Sequence, residues 1–271
     1  SSRVSGTICW PGRFSKVDGA CWAAECELSP VGVWRGGHTC RGKIEALALN
    51  KITESLREKY SYLWDHLFSH PFVQGIGDGT LPLDKFQFYI KQDYLFLENY
   101  CRVLAIATAK APDLTSMKRF SDILRETLKA EMSLHVSFSE GFGVSESELI
   151  ETQASPITVA YSDYLLRIAY EGTLLDIIAT LLPCQWGYHE TGLELKRTGD
   201  ISGNNPYRQW INMYASDDFG QSVSWLRKLL DNLADGIDLD GVKKIEKHFE
   251  MATRYEYLFW DMSYSMDMWP V

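Results

Sequence analysis

"LPLDKFQFYIKQDYLFLENYCRVLAIATAKA", Leu81 to Ala111, is the stretch that decides the fold class. Tyr89, Phe96, Leu97 and Tyr100 recur at spacings of three, four and seven, the period of one helix face. Pro82 suits a first-turn position, where a missing N–H costs no intrahelical bond. The stretch predicts one long helix. The same period continues on both sides. In "ITESLREKYSYLWDHLFSH", Leu56, Tyr60, Leu63 and Leu67 form one stripe. "HPFVQGIGDGT" then reads as a break, with Pro71 and three glycines. "LTSMKRFSDILRETLKAEMSLHVSFSEGFG" predicts a further helix, closed by Gly141 and Gly143. Ser155 ahead of Pro156 reads as the N-cap of "SPITVAYSDYLLRIAYEG". "TLLDIIATLLPCQWGYHETGLELKR", "NPYRQWINMYAS", "DFGQSVSWLRKLLDNLAD" and "DLDGVKKIEKHFEMATRYEYLFWDMSYSM" follow. No alternating strand pattern and no internal repeat interrupts them. The expectation is an all-α bundle of about eight helices joined by short connections.

Residues 1–46 read differently. They are broken by Gly and Pro and have neither helical nor strand period. Four of the six cysteines lie there: Cys9, Cys21, Cys26 and Cys40. Their spacing is irregular, with no C-x-x-C pair, and makes a poor zinc pattern even with His38 beside them. No methionine precedes Met117. The segment is expected to be a poorly ordered N-terminal extension, a processed end, or sequence from outside the natural reading frame. Residues 47–271 are expected to form the helical domain.

Composition narrows the function classes. Of 271 residues, 45% are hydrophobic and 23% charged, as in a soluble globular protein with a sizeable core. The net charge of −9, from 27 Lys and Arg against 36 Asp and Glu, argues against nucleic acid as a partner. No apolar run approaches the roughly 20 residues that span a bilayer. No secretory signal pattern opens the chain. The helical part holds only Cys101 and Cys184, which suits a reducing cytoplasm.

Four places carry possible chemistry. In "LLPCQWGYHETG", Pro183 has no N–H to bond back to the Ala179 carbonyl, which loosens that turn. Cys184 follows, with Tyr188 four residues on and on the same face. Cys184 is either a small core residue or a nucleophile aimed into a cavity. Asp93 lies among Tyr89, Phe96, Leu97 and Tyr100. Burying a carboxylate there is costly without a partner. The partner is a ligand's amidine edge, Lys91, Arg102 or water. Glu256 stands among Tyr255, Tyr257, Phe259 and Trp260, where desolvation raises a carboxyl pKa and suits it to general acid work. The alternative is an ion pair with Arg254 or a neighbouring helix. Glu131 and His135, four apart, share a face that is able to hold a metal. A di-iron bundle needs a second matched pair, and none is present. A structural polar pair is the better reading, and no metal or organic cofactor is expected.

Taken in order, "HPFVQGIGDGTLPLDKFQFYIKQDYLFL", "EMSLH", "LLPCQWGY" and "YEYLFW" resemble the TenA family, thiaminase II. The similarity covers about Leu56 to Trp269. It implies a haem-oxygenase-like helical fold without haem, assembled as a homotetramer. It implies an aminopyrimidine aminohydrolase of thiamin salvage. Such an enzyme converts 4-amino-5-aminomethyl-2-methylpyrimidine to the hydroxymethyl pyrimidine, and cleaves thiamin into hydroxymethyl pyrimidine and the thiazole alcohol. The resemblance makes Cys184 the nucleophile, Asp93 the carboxylate that holds the ring's amino group and adjacent nitrogen, and Glu256 the active-site glutamate. Tyr161, Tyr188 and Tyr214 match pocket tyrosines. One position departs: many members carry Tyr where this chain has Phe96. Phe keeps the stacking face and loses a hydroxyl, which bears on rate and substrate preference. The contrasting readings are a transcription-regulating protein, a metal-dependent oxygenase on the same fold, and a non-catalytic pyrimidine-binding module.

Overall fold

Periodicity becomes helix along nearly all of the chain that the structure, a computed structural model, describes: residues 51–200 and 203–271. The side chains of Ala130, Glu131, Ser133, Leu134, His135 and Phe138 are not among those described. The extension at residues 1–46 lies outside the described residues, as do the side chains of the Glu131–His135 pair. The helices are α1 (Ile52–Lys59), α2 (Ser61–Ser69), α3 (Pro71–Asp78), α4 (Leu83–Ala109), α5 (Leu114–Glu126), α6 (Met132–Gly141), α7 (Glu146–Ile150), α8 (Pro156–Glu171), α9 (Leu174–Thr198), α10 (Arg208–Tyr214), α11 (Asp217–Leu233) and α12 (Leu239–Ser265). A π-turn, Thr127–Glu131, joins α5 to α6. No strand occurs among the described residues, and no helix there is long and apolar enough to cross a membrane.

The all-α expectation holds, while the count of about eight was low. Four local features account for the difference: the short α7, opened by the Ser145–Glu148 capping box, and three others. First, the stripe from Leu56 to Leu67 is divided at Tyr60, whose φ of −106° and ψ of 18° end α1 and start α2. Leu56, Tyr60 and Leu67 stay buried across the break. Second, the segment read as a break at Pro71 is itself a helix. Pro71 occupies its first turn, the His70 ring nitrogen Nδ1 accepts from Phe72 N at 3.1 Å, and Gly79 closes it at φ 76°. Gly75 and Gly77 serve close packing rather than interruption. A Cβ on Gly75 would stand 3.0 Å from Leu81 Cβ, and one on Gly77 2.7 Å from Leu195 Cδ2. Third, the run from Leu114 carries the π-turn, which inserts an extra residue and turns the helix face that follows.

Other boundaries fall where the sequence puts them. Ser155 caps α8 by accepting from Thr158 N. Gly143 turns at φ 78° just beyond the end of α6. Pro82 is the N-cap residue of α4, one position before the first turn.

α9 is the central element. It is apolar on most sides, burying residues from Leu174 to Leu195, as a helix surrounded by others requires. It packs along α12 and also touches α2, α3, α4, α8, α10 and α11. It continues unbroken through Pro183. The residues singled out by sequence therefore sit on helices that meet at α9.

Candidate active site

Four helices and one short one deliver the candidate side chains. α4 presents Tyr89, Asp93 and Phe96 at positions i, i+4 and i+7, one face of the helix. α8 brings Tyr161, α9 brings Cys184 and Tyr188, and α12 brings Glu256 and Trp260. The short α10 adds Trp210 and Tyr214. Asp93 is 4% exposed and Glu256 3%, so both carboxyls are inside the protein. Cys184 is half-buried, the most exposed of the set.

Glu256 is the hub of one half of the site. Its Oε1 accepts from the Tyr161 hydroxyl, and its carboxyl also hydrogen-bonds the Cys184 thiol. Thiol, carboxyl and phenol are thus in direct sequence. Burial pushes the Glu256 pKa up to about 8. The nearby negative charge of Asp93 raises it as well, against the Tyr161 and Cys184 hydrogen bonds. At neutral pH the carboxyl mostly carries its proton, the state of a general acid. Arg254 does not pair with it. That guanidinium bonds Glu250 at 2.8 Å on the exposed face of α12, which overturns the Arg254 ion pair.

Asp93 anchors the other half. Its Oδ2 accepts from the Tyr89 hydroxyl at 3.1 Å, and that hydroxyl accepts from Trp210 Nε1 at 3.2 Å. The Tyr188 hydroxyl lies 3.4 Å from the Tyr89 hydroxyl. A phenol has one proton, so the carboxylate, the stronger acceptor, takes it. The cationic partners considered for Asp93 are engaged elsewhere: Lys91 faces Glu148 at 3.4 Å and Arg102 faces Glu98 at 3.8 Å. Burial holds the Tyr89, Tyr161 and Tyr188 hydroxyls well above the ordinary tyrosine pKa, so they act as neutral donors.

Aromatic rings enclose these groups. Phe96 packs on Tyr161 at 4.9 Å between centroids and on Phe259 at 5.7 Å. Tyr188 packs on Tyr214 at 4.7 Å and on Trp260 at 4.9 Å. Tyr214 is held from behind: its carbonyl is bonded by His189 Nδ1 at 2.7 Å. Gly192 of α9 approaches so closely that a Cβ there would meet Tyr214 backbone carbon at 2.8 Å.

All of the residues named from sequence, Asp93, Phe96, Tyr161, Cys184, Tyr188, Tyr214 and Glu256, therefore belong to helices that converge on one aromatic, carboxyl-bearing interior. Sequence reasoning left out Tyr89, Trp210 and Trp260 as site residues. Tyr89 was within reach, being four residues before Asp93 on the same face. Trp210 was not, because only the fold brings α10 beside α4. Among the described residues no three His, Cys, Asp or Glu side chains gather as a metal site.

Comparisons with known proteins bear on the family and the fold. The profile of the TENA/THI-4/PQQC family matches residues 57–266. The aminopyrimidine aminohydrolase of Halalkalibacterium halodurans is 44% identical over 215 residues, covering 79% of this chain and 96% of that protein. The solved TenA homologue from P. horikoshii superposes with a TM-score of 0.73 at 30% identity, over 80% of this chain and 99% of that one. Heme oxygenase-1 from the cyanobacterium Synechocystis superposes with a TM-score of 0.54 at 14% identity, over 78% of this chain and 91% of that one, and so shares the fold alone.

Proposed function

The chain belongs to the TENA/THI-4/PQQC family, and from that premise we propose that it is an aminopyrimidine aminohydrolase of thiamin salvage. Its substrate is 4-amino-5-aminomethyl-2-methylpyrimidine, and thiamin is a second substrate. The observation that carries this reading is the contact of Cys184 with a buried carboxyl whose pKa lies near 8. A thiol beside a carboxyl of that pKa is suited to covalent addition with proton transfer.

Asp93 accepts from the exocyclic amine of the pyrimidine, while Glu256 delivers a proton to the ring. Protonation makes a ring carbon electrophilic; the Glu256 carboxylate left behind takes the Cys184 proton, and the thiolate forms a bond to that carbon. The added electron pair moves toward the exocyclic methylene and expels the amine, which takes up that proton, or the neutral thiazole when thiamin is bound. Water adds at the methylene and gives up a proton to the carboxylate. The carbon–sulfur bond then breaks, the thiolate leaves, and the ring regains aromaticity. A thiolate suits both steps, being nucleophilic near neutral pH and a fair leaving group. Phe96 stacks on the ring, and Tyr161, Tyr188 and Tyr214 line the pocket and orient the ring or the water. No cofactor takes part. The acidic net charge and the small-molecule site support a cytoplasmic enzyme without nucleic-acid or membrane partners, and family likeness supports a homotetramer.

The test is hydrolysis of the aminomethyl pyrimidine and of thiamin, wild type beside Cys184→Ser, with products read by chromatography. Turnover by the wild type and its loss in the variant, with binding of hydroxymethyl pyrimidine retained, is the expected result. Wild-type turnover in Cys184→Ser refutes the covalent route. If neither protein turns over but both bind the pyrimidine, a binding or regulatory role replaces catalysis.

A further inference from the structure

The helices that carry Cys184, Glu256 and Tyr161 meet a second time. Eight residues before Cys184 on α9 stands Asp176, and eight before Glu256 on α12 stands His248. Eight residues are about 12 Å of helix rise. One turn after Tyr161 on α8 stands Tyr164. These three form their own polar cluster. The Tyr164 hydroxyl lies 3.1 Å from His248 Nδ1, and His248 Nε2 lies 3.5 Å from Asp176 Oδ1. Asp176 is 3% exposed and His248 8%. Asp176 Oδ2 accepts from Lys244 Nζ at 2.8 Å, from Thr173 N at 2.8 Å and from Thr173 Oγ1 at 2.9 Å.

The chemistry of the cluster sets its proton order. Burial lowers the His248 pKa, the Lys244, Arg167 and Lys247 charges push the same way, and Asp176 opposes them. The imidazole is therefore neutral. The Tyr164 hydroxyl, whose pKa is pushed up to about 12, donates to Nδ1, which leaves the proton on Nε2 facing Asp176. His248 Nε2 faces Asp176 without making a hydrogen bond, so α12 is tied to α9 through Lys244 and Asp176 and to α8 through His248 and Tyr164. A line of rings leads back to the first cluster: Tyr164 packs on Tyr255 at 5.5 Å, and Tyr255 stacks on Tyr161 at 5.0 Å and 9°. α4, which supplies Asp93 and Phe96, contributes nothing to the Asp176–His248–Tyr164 contacts.

We propose that Asp176, His248 and Tyr164 are positioning residues that lock α8, α9 and α12 in register, so that Glu256 stays aligned with Cys184 and Tyr161. This rests on the enzymatic reading above. Its specific consequence is a separation of rate from binding. Loosening the lock disturbs the thiol–carboxyl alignment and spares the ring-holding face of α4. A misplacement near 1 Å costs up to about a hundredfold in rate, so partial slippage lowers kcat by about tenfold.

The test compares His248→Leu, Tyr164→Phe and His248→Gln in the full chain. His248→Leu leaves the Asp176–Lys244 pair in place, so no buried charge is stranded. Expected are a kcat lowered about tenfold in His248→Leu and less in Tyr164→Phe, with KM and the Kd for hydroxymethyl pyrimidine within about twofold of wild type. His248→Gln, whose amide oxygen can accept from the Tyr164 hydroxyl as Nδ1 does, recovers much of the loss. Alkylation of Cys184 by iodoacetamide above pH 8, where the Glu256 carboxyl is ionised, followed by mass spectrometry of its peptide, slows about threefold or more in His248→Leu, because the thiol loses its aligned acceptor. Unchanged kcat overturns the proposal. So does a parallel fall of kcat, pyrimidine binding and Tm without rescue by Gln, which marks simple helix glue. If the wild type hydrolyses no aminopyrimidine, the enzymatic reading has failed instead, and the alkylation ratio alone decides whether the lock exists.

Discussion

Tyr161→Phe removes one hydroxyl and keeps the ring. The packing of that ring on Phe96 and Tyr255 is retained. What is lost is the donor to Glu256 Oε1, a bond that lowers the Glu256 pKa. A hydrogen bond to a charged group contributes about 1.5–3 kcal/mol. At about 1.4 kcal/mol per unit, its removal lifts the carboxyl pKa by about one to two units from its value near 8. If Glu256 acts as the acid, kcat in the wild type falls as pH rises through about 8, where the proton is lost. In Tyr161→Phe that falling limb moves to higher pH by at least about one unit. The assay is kcat for the aminomethyl pyrimidine from acid to strongly alkaline pH, with hydroxymethyl pyrimidine affinity as a control for the pocket. A limb that stays in place or moves to lower pH refutes the assignment of Glu256 as the acid held by Tyr161.

Three further outcomes follow from the same geometry. Glu256 binds its proton more tightly folded, near pH 8, than unfolded, near the ordinary carboxyl value of 4.5, so stability is fully present below the lower value and is lost as pH rises to the upper one. The loss reaches at most about 5 kcal/mol, and Glu256→Gln should abolish this slope in Tm against pH; an unchanged slope contradicts a buried, protonated carboxyl. Gly192→Ala should cost about 1–3 kcal/mol and raise KM, since the new methyl meets Tyr214 backbone that cannot swing aside; thermal unfolding and steady-state kinetics check both parts. Phe96→Tyr is expected to speed turnover of the aminomethyl pyrimidine, and equal or slower kinetics would mean that the pocket has adjusted to Phe.

The linear order of residues determined much of this protein. Helical period is a local property, so the run from Leu81 to Ala111 was legible as a helix, and Ser155 and Gly143 marked ends through their own backbone preferences. The motifs around Asp93, Cys184 and Glu256 named the candidate site residues. Packing decided the rest. Pro71 and its glycines read as an interruption because the usual reason for glycine is conformational; here Gly75 and Gly77 give room to Leu81 and Leu195, neighbours that only the fold supplies. Asp93 and Glu256 each had a plausible cationic partner within a turn or so. Burial took the carboxyls inside and left Lys91, Arg102 and Arg254 on the outer faces with other acids. Trp210 became a donor to Tyr89 across 121 positions of sequence. The double meeting of α8, α9 and α12, once at Cys184 and again at Asp176, has no signature in any one segment, because it depends on the relative register of three helices, and that register is set by side-chain packing between them.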